Sequence, residues 1–254
     1  MLRALILIGA FLTSQQAGSL GLELANRGLP PPPKADDLNA PISSYSVLDD
    51  VKGFAIGYYF ETPDGRLHDL RIRSYDKRSG IWRSLERKEG IGSVVSIRRG
   101  GQFLFVTGHS SPSAAPTLVL TETLKLKREV DGWPELVLPD GRLIFHRSMV
   151  HFAPTHAAVL ALYDPLSDRE VNVYPANAPR IERGSERDGE FWVDRSIDAV
   201  KEGSMPETIE FTVIEQRMRL NQDQRSVPAS PEQRFTVTCD LASSPIKCSR
   251  KPSE

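Results

Sequence analysis

The stretch Trp133–Pro175 reads WPELVLPDGRLIFHRSMVHFAPTHAAVLALYDPLSDREVNVYP and holds four short apolar runs: Glu135–Leu138, Arg142–His146, Ala157–Tyr163 and Glu170–Tyr174. Pro139-Asp140-Gly141 separates the first two runs, and Asp164-Pro165-Leu166-Ser167-Asp168 separates the last two. Proline presets φ and glycine tolerates positive φ, so both separators are turn chemistry. Short apolar runs bounded by turns predict a four-stranded antiparallel sheet.

The pattern extends in both directions. Before it, strands are predicted at Ser44–Leu48, Gly53–Phe60, His68–Asp76, Ile81–Arg87, Val94–Ile97 and Gln102–Thr107. In His68–Asp76, Leu70 and Ile72 alternate with Asp69, Arg71 and Arg73, as a half-buried strand requires. Thr117–Lys127 reads as one long strand or two consecutive ones. After the opening stretch come Arg180–Arg183, Glu190–Asp194, Thr208–Leu220 and Arg234–Leu241. Phe211 and Val213 share one parity and Met218 and Leu220 the other, which predicts a bulge near Ile214–Arg217. The turns after the third strand of each unit fall at Asp76, Glu122, Asp164 and about Glu215, spacings of 46, 42 and 51 residues.

A period in the forties with four strands per unit belongs to the β-propeller class. The third unit resembles the repeat of WD-repeat and TolB-type propellers: apolar strand, Pro139-Asp140-Gly141-Arg142-Leu143, strand, loop, a strand ending Leu162-Tyr163-Asp164, turn, strand. The resemblance is closest over residues 135–174 and implies architecture, with no family-specific activity. The expected fold is therefore all-β, a propeller-like array of about four four-stranded antiparallel sheets. The alternatives are a β-sandwich and an open propeller fragment. The same five residues recur at Pro63–Leu67, between second and third strands instead of first and second, so the match there is shared turn chemistry.

Composition bounds the partners. The 254 residues carry 32 Lys+Arg and 33 Asp+Glu, a net charge of –1. That balance gives no electrostatic footing for nucleic acid or an anionic membrane surface. Met1-Leu2-Arg3, the apolar run Ala4–Leu12 and the small-residue triplet Ala17-Gly18-Ser19 follow the layout of a secretory signal peptide, residues 1–19. A short N-terminal anchor is the alternative. Residues 20–43 contain Pro30–Pro33 and read as a polyproline tether, leaving 44–254 as one domain. The two cysteines, Cys239 and Cys248, are expected to pair in an oxidising compartment, periplasmic or extracellular.

Motifs for chemistry fail. Gly108-His109-Ser110-Ser111-Pro112 lacks the second glycine of a nucleophile elbow, and no phosphate loop, His-Glu-x-x-His or calcium loop occurs. No catalytic residue, metal or cofactor is assigned. Four histidines, His109, His146, His151 and His156, fall in or beside the connections from second to third strands of adjacent units, which such a sheet array gathers at one edge. Imidazole suits zinc, copper or nickel, and His146, His151 and His156 are the ligands to weigh there. The segments His109–Pro116, Arg147–Thr155 and Arg195–Pro206 read as long loops, with Met149, Phe152, Trp192 and Met205 on or near them. Arg71, Arg73, Arg83 and Arg87 read as one solvated face. The functional expectation is an exported, non-catalytic binding module for a protein, peptide or glycan. The alternative is a propeller-based hydrolase or lyase, which would bring a loop histidine to Asp194 or Asp198 in a cleft.

Overall fold

The computed structural model describes residues 25–26, 28, 42–61, 67–87, 93–109, 115–147, 158–176, 187–188, 191–221 and 226–252, a few of them, Trp192 included, by backbone alone. The signal and tether segments thus lie almost wholly outside the described residues. Among the described residues, seventeen strands form three antiparallel sheets. The first sheet holds β1 (Ile42–Asp49), β2 (Gly53–Glu61), β3 (Leu67–Asp76) and β4 (Ile81–Arg87) in chain order. The second holds β5 (Ser93–Gly100), β6 (Phe103–His109), β7 (Pro116–Thr121), β8 (Leu126–Val137), β9 (Leu143–Arg147), β10 (Leu160–Asp164) and β11 (Arg169–Tyr174), also in order. In the third, β12 (Arg187–Asp188), β13 (Phe191–Glu202), β14 (Thr208–Leu220), β16 (Gln233–Asp240) and β17 (Lys247–Pro252) lie side by side, and β15 (Ser226–Pro228) pairs with β14.

β8 divides the seven-stranded sheet. Leu126–Asp131 pairs with β7, whereas Gly132–Val137 pairs with β9. Both ends of β8 meet hairpin turns: Leu126 follows the β7–β8 turn, and Val137 would collide with any side chain at Gly100 in the β5–β6 turn. The strand must therefore double back, and Gly132 marks the place. Its amide donates to the Ala115 carbonyl at 3.4 Å, and a Cβ there would overlap the His146 carbonyl oxygen and the Phe145 ring.

The two halves face each other through Phe103, Phe105, Val119 and Val130 on one side and Leu143, Phe145, Ala161 and Tyr163 on the other. The other face of the β5–β8 half packs Val94, Ile97, Leu104, Val106, Leu118 and Leu120 against Ala55, Leu70 and Ile72 of the first sheet. The other face of the β8–β11 half packs Ile144, Leu160, Leu162 and Val173 against Ile197, Ile209, Phe211, Val213 and Val237 of the third. Each cluster joins consecutive layers. The remaining one, Phe54, Ile56 and Tyr58 with Val47, Tyr75 and Trp82, is drawn from the first sheet alone, so among the described residues no apolar cluster joins first sheet to last.

One end of this stack is stitched across every layer by its tight turns. Lys77 Nζ donates to Asp49 Oδ1 at 2.6 Å, and Arg99 Nε donates to Asp50 Oδ2 at 2.7 Å. Lys52 Nζ reaches the Gly101 carbonyl at 2.6 Å, and the Gly101 amide donates to Pro139 at 3.1 Å. Arg142 then bridges Asp140 at 2.7 Å and Glu207 at 3.2 Å, and the Leu241 amide closes on the Glu207 carbonyl at 2.8 Å. Gly101 and Gly141, at φ of 55° and 94°, supply the left-handed conformations at the junction of two of these turns.

Four expectations need correction, and one open alternative is decided. Thr117–Lys127 is the second of its two readings, two strands with Leu124 at φ 59° in the turn between them. Arg195–Pro206 is no loop: most of it is β13, and its charged residues pair across the sheet, Arg195 with Glu215 and Lys201 with Glu210. β14 carries no bulge at Ile214–Arg217, because its register with β13 runs unbroken from Phe191↔Arg219 to Asp198↔Thr212. The parity changes there because β14 outruns β16 and its end pairs with β15. Glu215 lies inside β14, so the fourth repeat mark belongs at Asp240, which opens the β16–β17 turn. Lastly, Arg73 is 1% exposed, paired with Glu86 at 3.0 Å and lying over Tyr58; Arg71 shares its face while Arg83 and Arg87 take the other. Filling the bend of β8 tests the architecture: Gly132→Val is expected to lower the unfolding free energy by about 1–3 kcal/mol, read as a reduced urea midpoint with unchanged slope.

Candidate functional site

Of the four candidate histidines, the structure describes His109 and His146; His151 and His156, with Met149 and Phe152, lie outside the described residues. Trp192 pairs its backbone with Met218 and Arg187, and its side chain is outside the described part. Met205 is exposed in the β13–β14 turn, which belongs to the stitched end. His109 closes β6, and its ring lies 5.4 Å from Trp133 at a tilt of 46°. Trp133 is in turn the cross-strand neighbour of His146, so strand ends from both halves of the second sheet bring three ring side chains to one place.

Two bulges then deliver carboxylates. In β8, Pro134 pairs with Phe145 and Leu136 with Ile144, so Glu135 is the extra residue. A bulge re-aims the side chain it contains, and Glu135 Oε1 comes within 3.4 Å of His146 Nε2. Arg98 holds that bulge from β5, donating to the Glu135 carbonyl at 2.9 Å. In β13 the register breaks between Asp198↔Thr212 and Lys201↔Glu210, with Ala199 at φ 55°. Asp198 flanks this break, and its charge reaches His146 from the facing sheet. The imidazole shares its face with Ile144, which packs into the cluster between the second and third sheets. Burial pulls its pKa below the ordinary 6.5, and the charges of Glu135 and Asp198 oppose that pull without cancelling it. The ring is held neutral in a setting that one bound proton would change.

The enzyme alternative looked to Asp194 or Asp198; the carboxylate within closest reach is Glu135. The sequence does not mark this pairing, because which residue of β8 stands beside His146 is fixed only by the register of β8 on β9. Among the described residues no three His, Cys, Asp or Glu side chains are grouped to hold a metal ion. Cys239 and Cys248 do form a disulfide, across directly paired positions of β16 and β17. A second polar cluster was missed altogether. Arg195, 5% exposed, pairs with Glu215 at 2.7 Å, and the Arg195 and Arg250 guanidiniums flank Tyr174 at 5.7 and 5.0 Å from its ring. The Tyr174 hydroxyl is buried without a hydrogen-bond partner, and burial, then the Glu215 charge, raises its pKa. At the stitched end, a shallow cleft of about 370 Å³ runs between Phe103, Thr121 and Lys127 and the exposed Leu166.

No family model matches the chain, and no curated protein does. Solved structures similar to it include the tricorn protease, at 10% identity and TM-score 0.37, covering 77% of this chain and 25% of that one. The β-propeller domain of the Trilobed protease from Pyrococcus furiosus aligns at 10% identity and TM-score 0.35, over 78% of this chain and 69% of that one. A mannose phosphorylase from Leishmania mexicana aligns at 10% identity and TM-score 0.28, over 93% of this chain and 82% of that one. The chain thus spans a quarter of the tricorn protease chain. At these scores the likenesses transfer neither site nor activity.

Because the folded pKa of His146 is depressed, the unfolded chain binds a proton that the folded chain refuses once the pH falls below about 6.5. Stability is full above that value and is lost through the window beneath it. His146→Gln is expected to lose less stability than the wild type between about pH 7.5 and pH 5.5, as urea midpoints at the two pH values would show.

Proposed function

We propose that the chain is an exported, non-catalytic binding module, an open propeller-like array of four-stranded blades whose ligand surface is the end carrying His109, Trp133 and His146. The blades are β1–β4, β5 to the first half of β8, the second half of β8 to β11, and β13, β14, β16 and β17. The consecutive interlayer clusters and the doubling back of β8 support that division. The disulfide is consistent with an oxidising compartment.

The observation that carries the binding reading is the bulge at Glu135. It aims a carboxylate at a half-buried imidazole beside the tilted Trp133–His109 ring pair. Aromatic faces flanked by paired donors and acceptors make a surface that takes flat or ring-bearing ligands by stacking and hydrogen bonding. It sits opposite the turn network that rigidifies the stack, and recognition residues are commonly presented at the end of such a scaffold.

The ligand classes that fit are a glycan or an exposed peptide segment. The test is an array of defined oligosaccharides and peptides probed with wild type, Trp133→Ala and His109→Ala. Saturable binding to one class, weakened about tenfold or more by either substitution with the thermal midpoint held, is the expected result. Failure of every probe overturns the reading. So does turnover of chromogenic ester or glycoside substrates that disappears in His146→Gln, which would restore the hydrolase or lyase alternative.

A further inference from the structure

All six residues of β17 are exposed, so this edge strand buries almost nothing of its own. It is held by its ladder to β16 and by two side chains facing the second sheet. Cys248 lies opposite Cys239 and is bonded to it, and Arg250 lies opposite Val237. The Arg250 guanidinium is 5.0 Å from the Tyr174 ring and 5.3 Å from the Phe235 ring. Its NH1 donates to Glu215 Oε2 at 3.3 Å and its NH2 contacts Oε1 at 3.5 Å.

The receiving surface belongs to other elements: Tyr174 from β11, Glu215 from β14 and Phe235 from β16. Two aromatic faces and a carboxylate are the chemistry that recognises a guanidinium. Contacts that do not involve β17 also hold the pocket. Arg195 orients Glu215 at 2.7 Å from the opposite side and lies over the same Tyr174 ring, which packs edge-on against Phe211. Removing β17 would bare this pocket together with the hydrogen-bonding edge of β16, and such an edge accepts an added strand.

We propose that β17 is a releasable latch seated in an arginine-recognising groove, and that cleavage of the Cys239–Cys248 bond lets the β17 segment of a second copy of this chain take the groove. The reductant is a dithiol. One of its thiolates attacks the sulfur of Cys248, the exposed partner, while Cys239 is fully buried. The protein S–S bond breaks, Cys239 leaves as a thiolate and takes a proton, and a mixed disulfide remains on Cys248. The second thiol of the reductant then displaces Cys248, so the reductant ends as a disulfide and the protein as two thiols. The incoming strand carries Arg250 and Pro252 toward the groove and Lys247, Ser249 and Lys251 away from it, the register that β17 already shows.

The test uses the full chain, oxidised and reduced with dithiothreitol. Amide hydrogen exchange should accelerate about tenfold or more in β16 and β17 on reduction, while β6, β7 and β10 keep their protection. A labelled peptide spanning residues 247–252, with Ser in place of Cys248, should bind the reduced chain saturably and the oxidised chain not at all; its Arg250→Ala form should bind about tenfold more weakly or less. The reduced chain should also become dimeric with rising concentration, an effect that Arg250→Ala removes. Unchanged exchange in β17, loss of protection throughout the chain, peptide binding indifferent to Arg250, or a reduced chain monomeric at every concentration would each overturn the proposal.

Discussion

The second sheet is apolar on both faces, and the rest of the arrangement follows from having to cover both. β6 is buried over six consecutive residues, β7 over five and β10 over four, with no alternation to spare a solvated side. A seven-stranded sheet of that kind would need two neighbours as wide as itself. It avoids this by folding on β8 at Gly132, so that its halves cover each other through Phe105, Val119, Phe145 and Tyr163. Only one outward face per half then remains, and the first and third sheets cover these. Fully buried leucines such as Leu118 and Leu120 each cost about 2–5 kcal/mol to truncate, so these interlayer seams dominate the stability of the array. The turn network adds direction to that adhesion. Its links combine ion pairs, individually weak where exposed, with bonds to backbone carbonyls, and their contribution is to align turns from successive layers at one end.

Aligning the turns at one end leaves the other end to the strand termini, and this is where the unusual side chains collect. Trp133 lies directly opposite His146, so Glu135, two residues on, stands on the same face and diagonal to the imidazole. As the extra residue of the bulge, Glu135 has no cross-strand partner of its own and reaches the ring at 3.4 Å. The break in β13 sets Asp198 toward the same imidazole from the facing sheet. Two irregularities in separate sheets converging on one titratable ring cost ladder hydrogen bonds on both sides. Bulges tend to persist where they re-aim a side chain, which is the physical ground for reading this place as a surface with a role.

Much of the fold was legible in the sequence because local chemistry was consistent there. Ile81–Arg87 and Thr208–Leu220 coincide with β4 and β14, Glu170–Tyr174 lies inside β11, and the other three apolar runs of the opening stretch overlap β8, β9 and β10. What escaped has particular causes. The inward face of β13 carries Arg195 beside Ile197, so a buried ion pair masqueraded as loop polarity. Gly132-Trp133-Pro134 reads as an interruption, whereas the chain pairs on both sides of it and uses the glycine to turn over. Arg73 reads as solvated from its alternation with Leu70 and Ile72. Its face is in fact apolar, lined by Phe54, Ile56 and Tyr58, and the arginine is buried with a carboxylate partner. Alternation reports that two faces differ; it does not report that the charged one is wet.

The repeat varies in length, and its better signature is chemical. The turn between third and fourth strands opens with Asp76 in the first unit, Asp164 in the third and Asp240 in the last. Each carboxylate accepts from the amide two residues on, at 2.9 Å in all three, and a serine stands one residue further: Ser79, Ser167 and Ser243. Ser79 and Ser167 donate to the carboxylate at 2.7 and 2.6 Å, and Ser243 to the Asp240 carbonyl at 2.9 Å. In the second unit Thr121 takes the same office, accepting from the Lys125 amide at 3.1 Å. Such side-chain bonds replace the backbone bonds a hairpin end lacks, so this turn is specified whatever the lengths of the strands around it. A fourth mark set by spacing falls inside β14; the same mark set by Asp-x-x-Ser falls at Asp240, where the final hairpin turns. The unit that recurs along this chain is thus a way of closing a turn, and residue count follows it only where no longer strands intervene.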